Sequence, residues 1–557
     1  MRNINNRVLK FFWLCIGLNF LFLIFRNTGL YPTVFSDEYT YSKLSRLIPM
    51  SDSPIPIYAY LKLFNTTNYC GDGFLECAKI INAFVFVAAA PFIYWISRRV
   101  ADQRVSVYVS LLAIMGPISS YTAYFKPESL YFLSFWVFCW YLLTLGSQSG
   151  KWCWFLGGVL FAVSSLVKPH TILFLPAVFI YVIFLFIQEQ RSLSKRTVFV
   201  MLYFLIGALM TKMSLSYFFA GSAGLTIFGS DYGEHARSTV LETQNYVQLL
   251  LLTGESLTGH AVVSALLYGL PLVLAISTTI KILLPKIYKP IDDENQTSQY
   301  QKITFFSLII ILNLIFVTAI FTASVANAGP YESSYRLHMR YYNFALPLLY
   351  VVAGGALNIN AKSLAPTRWI VGGFFILMAG YAIHTNLAPY TLGYVDSPEI
   401  WGLHIDEFYF KSIGSLLLLV LVIFLINQRK GLQLYLYLAL PLFLIISLYQ
   451  VDREQSGRLI PDTYDKAGMF TKHYLPNTDM SKLIVVGSKL GELYRTLYYL
   501  DSPVASFELI NKDSIYDLRK RPDNKDWVLV IGDHKVVGTS QFQINLNGFS
   551  LIKADED

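Results

Sequence analysis

Apolar runs long enough to cross a bilayer recur from residue 8 to residue 450 of this chain and then stop. A spanning helix needs about 20 mostly apolar residues. A buried core could account for one or two such runs, but not for a dozen. In order they fall near 8–26, 79–97, 105–124, 128–146, 152–167, 170–187, 197–219, 260–283, 303–326, 341–358, 369–387, 412–427 and 432–450, an expectation of about 13 spans. Only 14% of the 557 residues are charged, against about 25% in an ordinary soluble chain. The 41 Phe and 38 Tyr suit the membrane interface, where amphipathic rings settle. The expected fold is a polytopic α-helical membrane body over residues 1–450, followed by a small α/β soluble domain over 451–557.

The formal charge of +8 matters less than where the charges lie. Every second connection is basic: Arg98, Arg99 and Arg104; Lys151; Arg191, Lys195 and Arg196; Lys281, Lys286, Lys289 and Lys302; Lys362 and Arg368; Arg429 and Lys430. The positive-inside rule makes that set cytoplasmic, and Arg2, Arg7 and Lys10 put the N-terminus with it. An odd number of spans then sends the C-terminal domain outside. The basic balance is a topology signal, so nucleic acid is not an expected partner. The first run ends at Phe25-Arg26-Asn27 with no small-residue cleavage site, so it reads as a retained span. Cys15, Cys139 and Cys153 lie in or beside spans, where they pack. Cys70 and Cys77 flank Gly71-Asp72-Gly73 in an outer loop, where an oxidising compartment favours a disulfide between them.

Polar and ionisable residues concentrate in the outer connections, near 27–78, 220–259, 327–340 and 388–411. Asp37 and Glu38, flanked by Tyr39 and Tyr41, follow the first span by about ten residues. A carboxylate this close to the bilayer is partly desolvated, which is expected to raise its pKa and make it a better proton acceptor once ionised. Neighbours on a helix point about 100° apart, so one carboxylate can face a cavity while a partner holds the other. The plainer role for the pair is the acidic first turn of a helix capped by Ser36. Two Lys-Pro turns share that membrane face: Lys126-Pro127-Glu128 and Lys168-Pro169-His170. Lysine is a compact cation suited to phosphate, although lysines at helix ends also snorkel, and His170 alone reads as structural. Arg336, His338, Arg340, Tyr341 and Tyr342 precede the tenth run. Two arginines on the outer side oppose the topological trend, and Arg340 could clamp a lipid-linked phosphate or pair with Glu332. Asp231, Glu234 and His235 could hold a divalent cation, without a specific ligand pattern. No cofactor is otherwise expected.

These stretches together resemble the GT-C superfamily of glycosyltransferases that use polyprenyl-phosphate sugars. In style the chain is similar to protein O-mannosyltransferases and lipid A aminoarabinose transferases. The similarity is carried by Asp37-Glu38 in the first outer loop, Phe125-Lys126-Pro127-Glu128-Ser129, Leu166-Val167-Lys168-Pro169-His170, the stretch from Arg340 to Pro347, and a many-span body with an external C-terminal domain. The resemblance implies an inverting transfer in which Lys126, Lys168, Arg336 and Arg340 hold the donor phosphate. Asp37 would be the base, with Glu38 or Glu128 orienting the acceptor or holding a cation. Tyr39, Tyr41, His170, His338, Tyr341 and Tyr342 would then line the substrates. The implied partners are the donor lipid, a glycan or glycolipid acceptor and the bilayer; the absence of a eukaryotic retrieval tail favours a bacterial inner membrane.

In the C-terminal segment, Leu483–Gly487 and Trp527–Gly532 read as buried strands with a helix between them over Lys489–Leu500, and Phe542–Leu551 reads as a late strand. Two rivals predict other patterns. A secondary transporter calls for inverted repeats and mid-bilayer charges, whereas here such charges are few, Lys212 among them. An O-antigen ligase or polymerase would also want outer cations but has no need of Asp37-Glu38.

Overall fold

The computed structural model describes residues 5–33, 35–229, 246–284, 295–326, 332–358, 365–522 and 524–555. The chain is an integral membrane protein: a helical body followed by a small sheet domain. Among the described residues nine helices are long and apolar enough to cross a membrane: Asn6–Asn27 (α1), Tyr58–Ser97, Pro169–Gln190, Lys195–Gly224, Tyr246–Leu283, Thr297–Val325, Pro366–Thr385, Glu407–Ile426 and Gln428–Leu459. Each covers one expected run, stopping at most two residues short of its end.

The other four expected runs are shorter or broken. Gln103–Met115 and Pro117–Ala123 meet at a 50° bend, where Pro117 has no N–H to continue the helix. Glu128–Thr144 and Lys151–Ser165 have 17 and 15 residues, and Asn343–Ala356 is a shorter apolar helix. The expectation of about 13 full spans therefore gives way to nine, or ten with the bent pair. Hydropathy counts apolar residues, whereas helix length here is trimmed by turns at Pro127, Pro169 and Pro347. Those turns carry the charged motifs.

Small residues set the closest helix packing. A Cβ on Gly158 would lie 2.0 Å from the Phe204 carbonyl oxygen, and one on Gly207 would lie 2.3 Å from that of Phe155. The helices Lys151–Ser165 and Lys195–Ala220 thus meet backbone to backbone, as membrane helices do through glycine.

After α1 the chain forms a short helix, α2 (Phe35–Arg46), then Tyr58–Asn65 and the turn Thr66–Gly73. A disulfide joins Cys70 to Cys77 across this last turn.

The C-terminal sheet has the order β2-β1-β4-β7-β6, from β1 (Leu483–Gly487), β2 (Ser506–Leu509), β4 (Trp527–Ile531), β6 (Ser540–Leu546) and β7 (Phe549–Ala554). The strand β1 runs parallel to both β2 and β4. Its crossover to β2 is the helix Leu490–Leu500. Tyr516–Asp517 (β3) and Val536–Val537 (β5) pair separately. Where one late strand was expected over Phe542–Leu551, there is a hairpin of β6 and β7. It turns at Asn547-Gly548, with Gly548 at φ +85°, a dipeptide that favours tight hairpins.

This domain grips the segment after α1. Arg46 donates to both carboxylate oxygens of Asp501 at 2.8 and 2.9 Å. Tyr39 stacks on Tyr494 with ring centroids 5.5 Å apart, and Lys472 reaches Asp72 at 2.7 Å.

Candidate active site

Asp37 and Glu38 lie in the first turn of α2, where the helix dipole favours carboxylates. Glu38 is fully buried. It accepts from the backbone N–H of Thr33 at 2.6 Å and of Phe125 at 2.9 Å. It therefore ties the entry of α2 to the Phe125-Lys126-Pro127 turn, and so sets Lys126 against Asp37. Of the adjacent pair, one carboxylate anchors backbone and the other faces the site, as their angular offset on a helix allows.

Lys126 Nζ donates to Asp37 Oδ2 at 2.8 Å, and Arg340 Nη1 donates to the same oxygen at 3.1 Å. Asp37 Oδ1 takes no hydrogen bond among the described residues, and the side chain keeps 36% of its exposure. Burial works against ionisation of Asp37, but the charges of Lys126 and Arg340 outweigh it and hold its pKa well below the usual carboxylate range.

The two Lys-Pro turns converge on Glu128. Lys168 is extended (φ −147°, ψ 117°), the conformation that a following proline imposes. Its Nζ lies 3.3 Å from Glu128 Oε1, and Lys126 Nζ lies 3.9 Å from the same atom. All three side chains are nearly or wholly buried. Burial lowers the pKa of Lys168, Glu128 opposes that shift, and the charges of Arg340 and Lys126 add to it. A buried cation beside other cations gains most from an added anion. Tyr341 lies between them, its ring 5.1 Å from both Lys168 Nζ and Arg340 Cζ. Arg340 Nη2 donates to the Tyr341 hydroxyl at 3.1 Å, and the His170 ring lies 4.8 Å from that of Tyr341.

The other candidates sit around this centre. Arg336 pairs with Glu332 and Asp396, both at 2.5 Å. His338 bonds Thr322 at 3.0 Å and lies 3.6 Å from Glu332. Burial pushes His338 down to about 4, with Asp396 opposing and Arg340 and Arg336 assisting, so its contact with Glu332 is not an ion pair at neutral pH. Tyr342 meets His260 Nδ1 at 3.0 Å, and the Tyr41 ring lies 5.7 Å from that of Tyr60. Tyr39 belongs to the contact with the C-terminal domain. Asp231, Glu234 and His235 lie outside the described residues. Among the described residues no three His, Cys, Asp or Glu side chains are grouped to hold a metal.

The motif reading did not single out Asp396. It is 3% exposed and forms ion pairs with Arg340, whose Nε lies 3.1 Å from Oδ1, and with Arg336. The backbone N–H of Arg340 donates to the Asp396 carbonyl at 2.7 Å. The signal was an acid in the outer connection 388–411, with nothing local to mark its partner.

Residues 67–217, which include Lys126, Glu128 and Lys168, match a family model described as dolichyl-phosphate-mannose-protein mannosyltransferase. No curated protein matches the chain. Among solved structures it is similar to ArnT from Cupriavidus metallidurans bound to undecaprenyl phosphate, with TM-score 0.47 and 12% identity over 97% of each chain. It is also similar to the archaeal oligosaccharyltransferase AglB from Archaeoglobus fulgidus, solved with an inhibitory peptide and a dolichol-phosphate. There the TM-score is 0.43 and the identity 11%, over 93% of this chain and 69% of that one. Residues 67–217 are thus similar to the dolichyl-phosphate-mannose-protein mannosyltransferases.

Proposed function

We propose that this protein is an inverting glycosyltransferase that moves a sugar from a polyprenyl-phosphate donor to a hydroxyl of a glycan or glycolipid. The site would face the outside of a bacterial inner membrane, with the N-terminus cytoplasmic and the C-terminal domain periplasmic. The observation that carries this reading is Asp37: one oxygen is held by Lys126 and Arg340, and the other takes no protein hydrogen bond among the described residues.

The open oxygen suits the acceptor hydroxyl. As that hydroxyl attacks the anomeric carbon, its proton passes to Asp37 Oδ1 and its oxygen forms the new glycosidic bond. The bond from the anomeric carbon to the phosphate oxygen breaks, and the electron pair leaves with the lipid phosphate. Lys126, Lys168 and Arg340 offset the charge that collects on that phosphate, and fixed cations in a dry site are worth most where charge develops. Attack opposite the leaving group inverts the anomeric centre.

The test is transfer by purified protein reconstituted in lipid, supplied with polyprenyl-phosphate sugars and membrane-extract acceptors. Wild type should transfer, and an equally stable Asp37→Asn protein should be slower by about 10²–10⁴-fold, the usual worth of a positioned base. Full activity in Asp37→Asn would move the base elsewhere.

A further inference from the structure

Below the clamp of Arg340 and Asp396 lies a second, unused carboxyl. Glu399 follows Asp396 by three residues on the short helix Pro398–His404 and is 3% exposed. Its Oε2 meets no hydrogen-bond partner among the described residues. The carboxyl borders a small internal cavity with Asn343, Tyr268 and Tyr350. The ionisable groups that feel it are Tyr121, Tyr268, Tyr342 and Tyr350, and the Asn343 side chain borders the same cavity. No cation is among these groups. A buried carboxylate with no cation is costly, and the neutral acid is the cheaper form.

Hydrogen bonds run from Asn343, which lines the cavity beside this carboxyl, towards the clamp. Asn343 Nδ2 donates to the Tyr121 hydroxyl at 3.0 Å, and that hydroxyl donates to the Val395 carbonyl at 2.8 Å. The next residue is Asp396, which holds Arg340 through both side chain and backbone. From the other side, Ser447 Oγ donates to the Glu399 carbonyl at 2.6 Å.

We propose that Glu399 is a positioning residue: as a neutral acid it keeps Asn343 and Tyr121 in place, and through Val395 and Asp396 it aims Arg340 at the donor phosphate. This rests on the phosphate site proposed above. Once ionised, Glu399 draws the Asn343 amide towards itself and away from Tyr121, which loosens the segment carrying Asp396. Burial pushes the Glu399 pKa up to about 7, with its own backbone N–H and Asn343 holding it back. The sign follows: the neutral form prevails below pH 7, and the positioning fails as pH rises through that value.

Two measurements on the reconstituted full chain test this. Infrared spectroscopy at pH 6 should show the C=O stretch of a protonated carboxyl in wild type, lost in Glu399→Gln. Affinity for undecaprenyl phosphate between pH 6 and 8.5 should fall about tenfold or more in wild type. Glu399→Gln, permanently neutral and of the same shape, should bind evenly across that range, whereas Glu399→Ala should bind weakly throughout. No band difference at pH 6, or the same pH slope in Glu399→Gln as in wild type, overturns the inference alone. No binding of undecaprenyl phosphate by wild type at any pH overturns the phosphate site and the inference together.

Discussion

The adjacent carboxylates Asp37 and Glu38 divide their work by what surrounds each. Glu38 holds two backbone N–H groups, and Asp37 faces Lys126 and Arg340. Because those cations depress the Asp37 pKa, the proposed base is ionised over the whole neutral range and is lost only as pH falls through its lowered value. An opposite charge within hydrogen-bonding distance lowers a carboxyl pKa by about 1–3 units. Removing one cation should therefore raise the acid limb of the kcat/KM profile by about one unit or more. A pH–rate series on Arg340→Gln beside wild type reads this directly, and an unmoved limb would remove Asp37 as the group that titrates. The charged residues at span ends were visible in sequence because ionisable groups near a bilayer are rare and expensive. Asp396 and Glu399 were not. They lie in a polar connection between spans, and their meaning comes from Arg340 and Asn343, more than 50 residues away in the chain.

At the level of elements, hydropathy found the apolar stretches because length and composition alone decide them. It overcounted full spans because proline turns shorten three helices and break a fourth, and those turns are what deliver Lys126 and Lys168 to one place. The expected strands β1 and β4 are found as buried apolar runs. The β6–β7 hairpin was missed although Asn547-Gly548 announces it, since the single strand expected over Phe542–Leu551 ran straight across that dipeptide. The approach of Gly158 to the Phe204 backbone and of Gly207 to that of Phe155 is a tertiary fact that neither hydropathy nor local propensity encodes. Gly158→Ala would put a methyl against the backbone at Phe204 and Ala208, atoms that cannot swing aside as a side chain can. The two helices must separate, and overpacking of this kind costs about 1–3 kcal/mol. A thermal melt in lipid should show Gly158→Ala melting below wild type, with Gly150→Ala, where the added Cβ meets open space, as the control.

Across the whole molecule, the C-terminal domain and the segment after α1 act as one support for Asp37. Arg46 closes α2 at its far end, stacks over the Phe74 ring at 3.4 Å and bonds Asp501 with both guanidinium arms. The backbone N–H of Tyr31 donates to the Arg458 carbonyl at 2.9 Å, and Arg458 Nε donates to the Pro32 carbonyl at 3.1 Å. The two ends of the segment bearing Asp37 are thus pinned, one by the end of the last long apolar helix and the other by the domain that follows it. Arg46→Ala removes one pin while touching neither Asp37 nor its cations. Losing charge-assisted hydrogen bonds of this kind costs about 1.5–3 kcal/mol, and a catalytic group displaced by about 1 Å can lose on the order of 10²-fold in rate. Arg46→Ala should therefore lower kcat by about tenfold or more while leaving undecaprenyl phosphate affinity nearly unchanged, because Lys168 and Arg340 stand on other elements. Lys411→Ala, which breaks an exposed pair with Glu407, should change neither. If Arg46→Ala weakened phosphate affinity and kcat equally, the domain would be supporting the whole site rather than aiming its base.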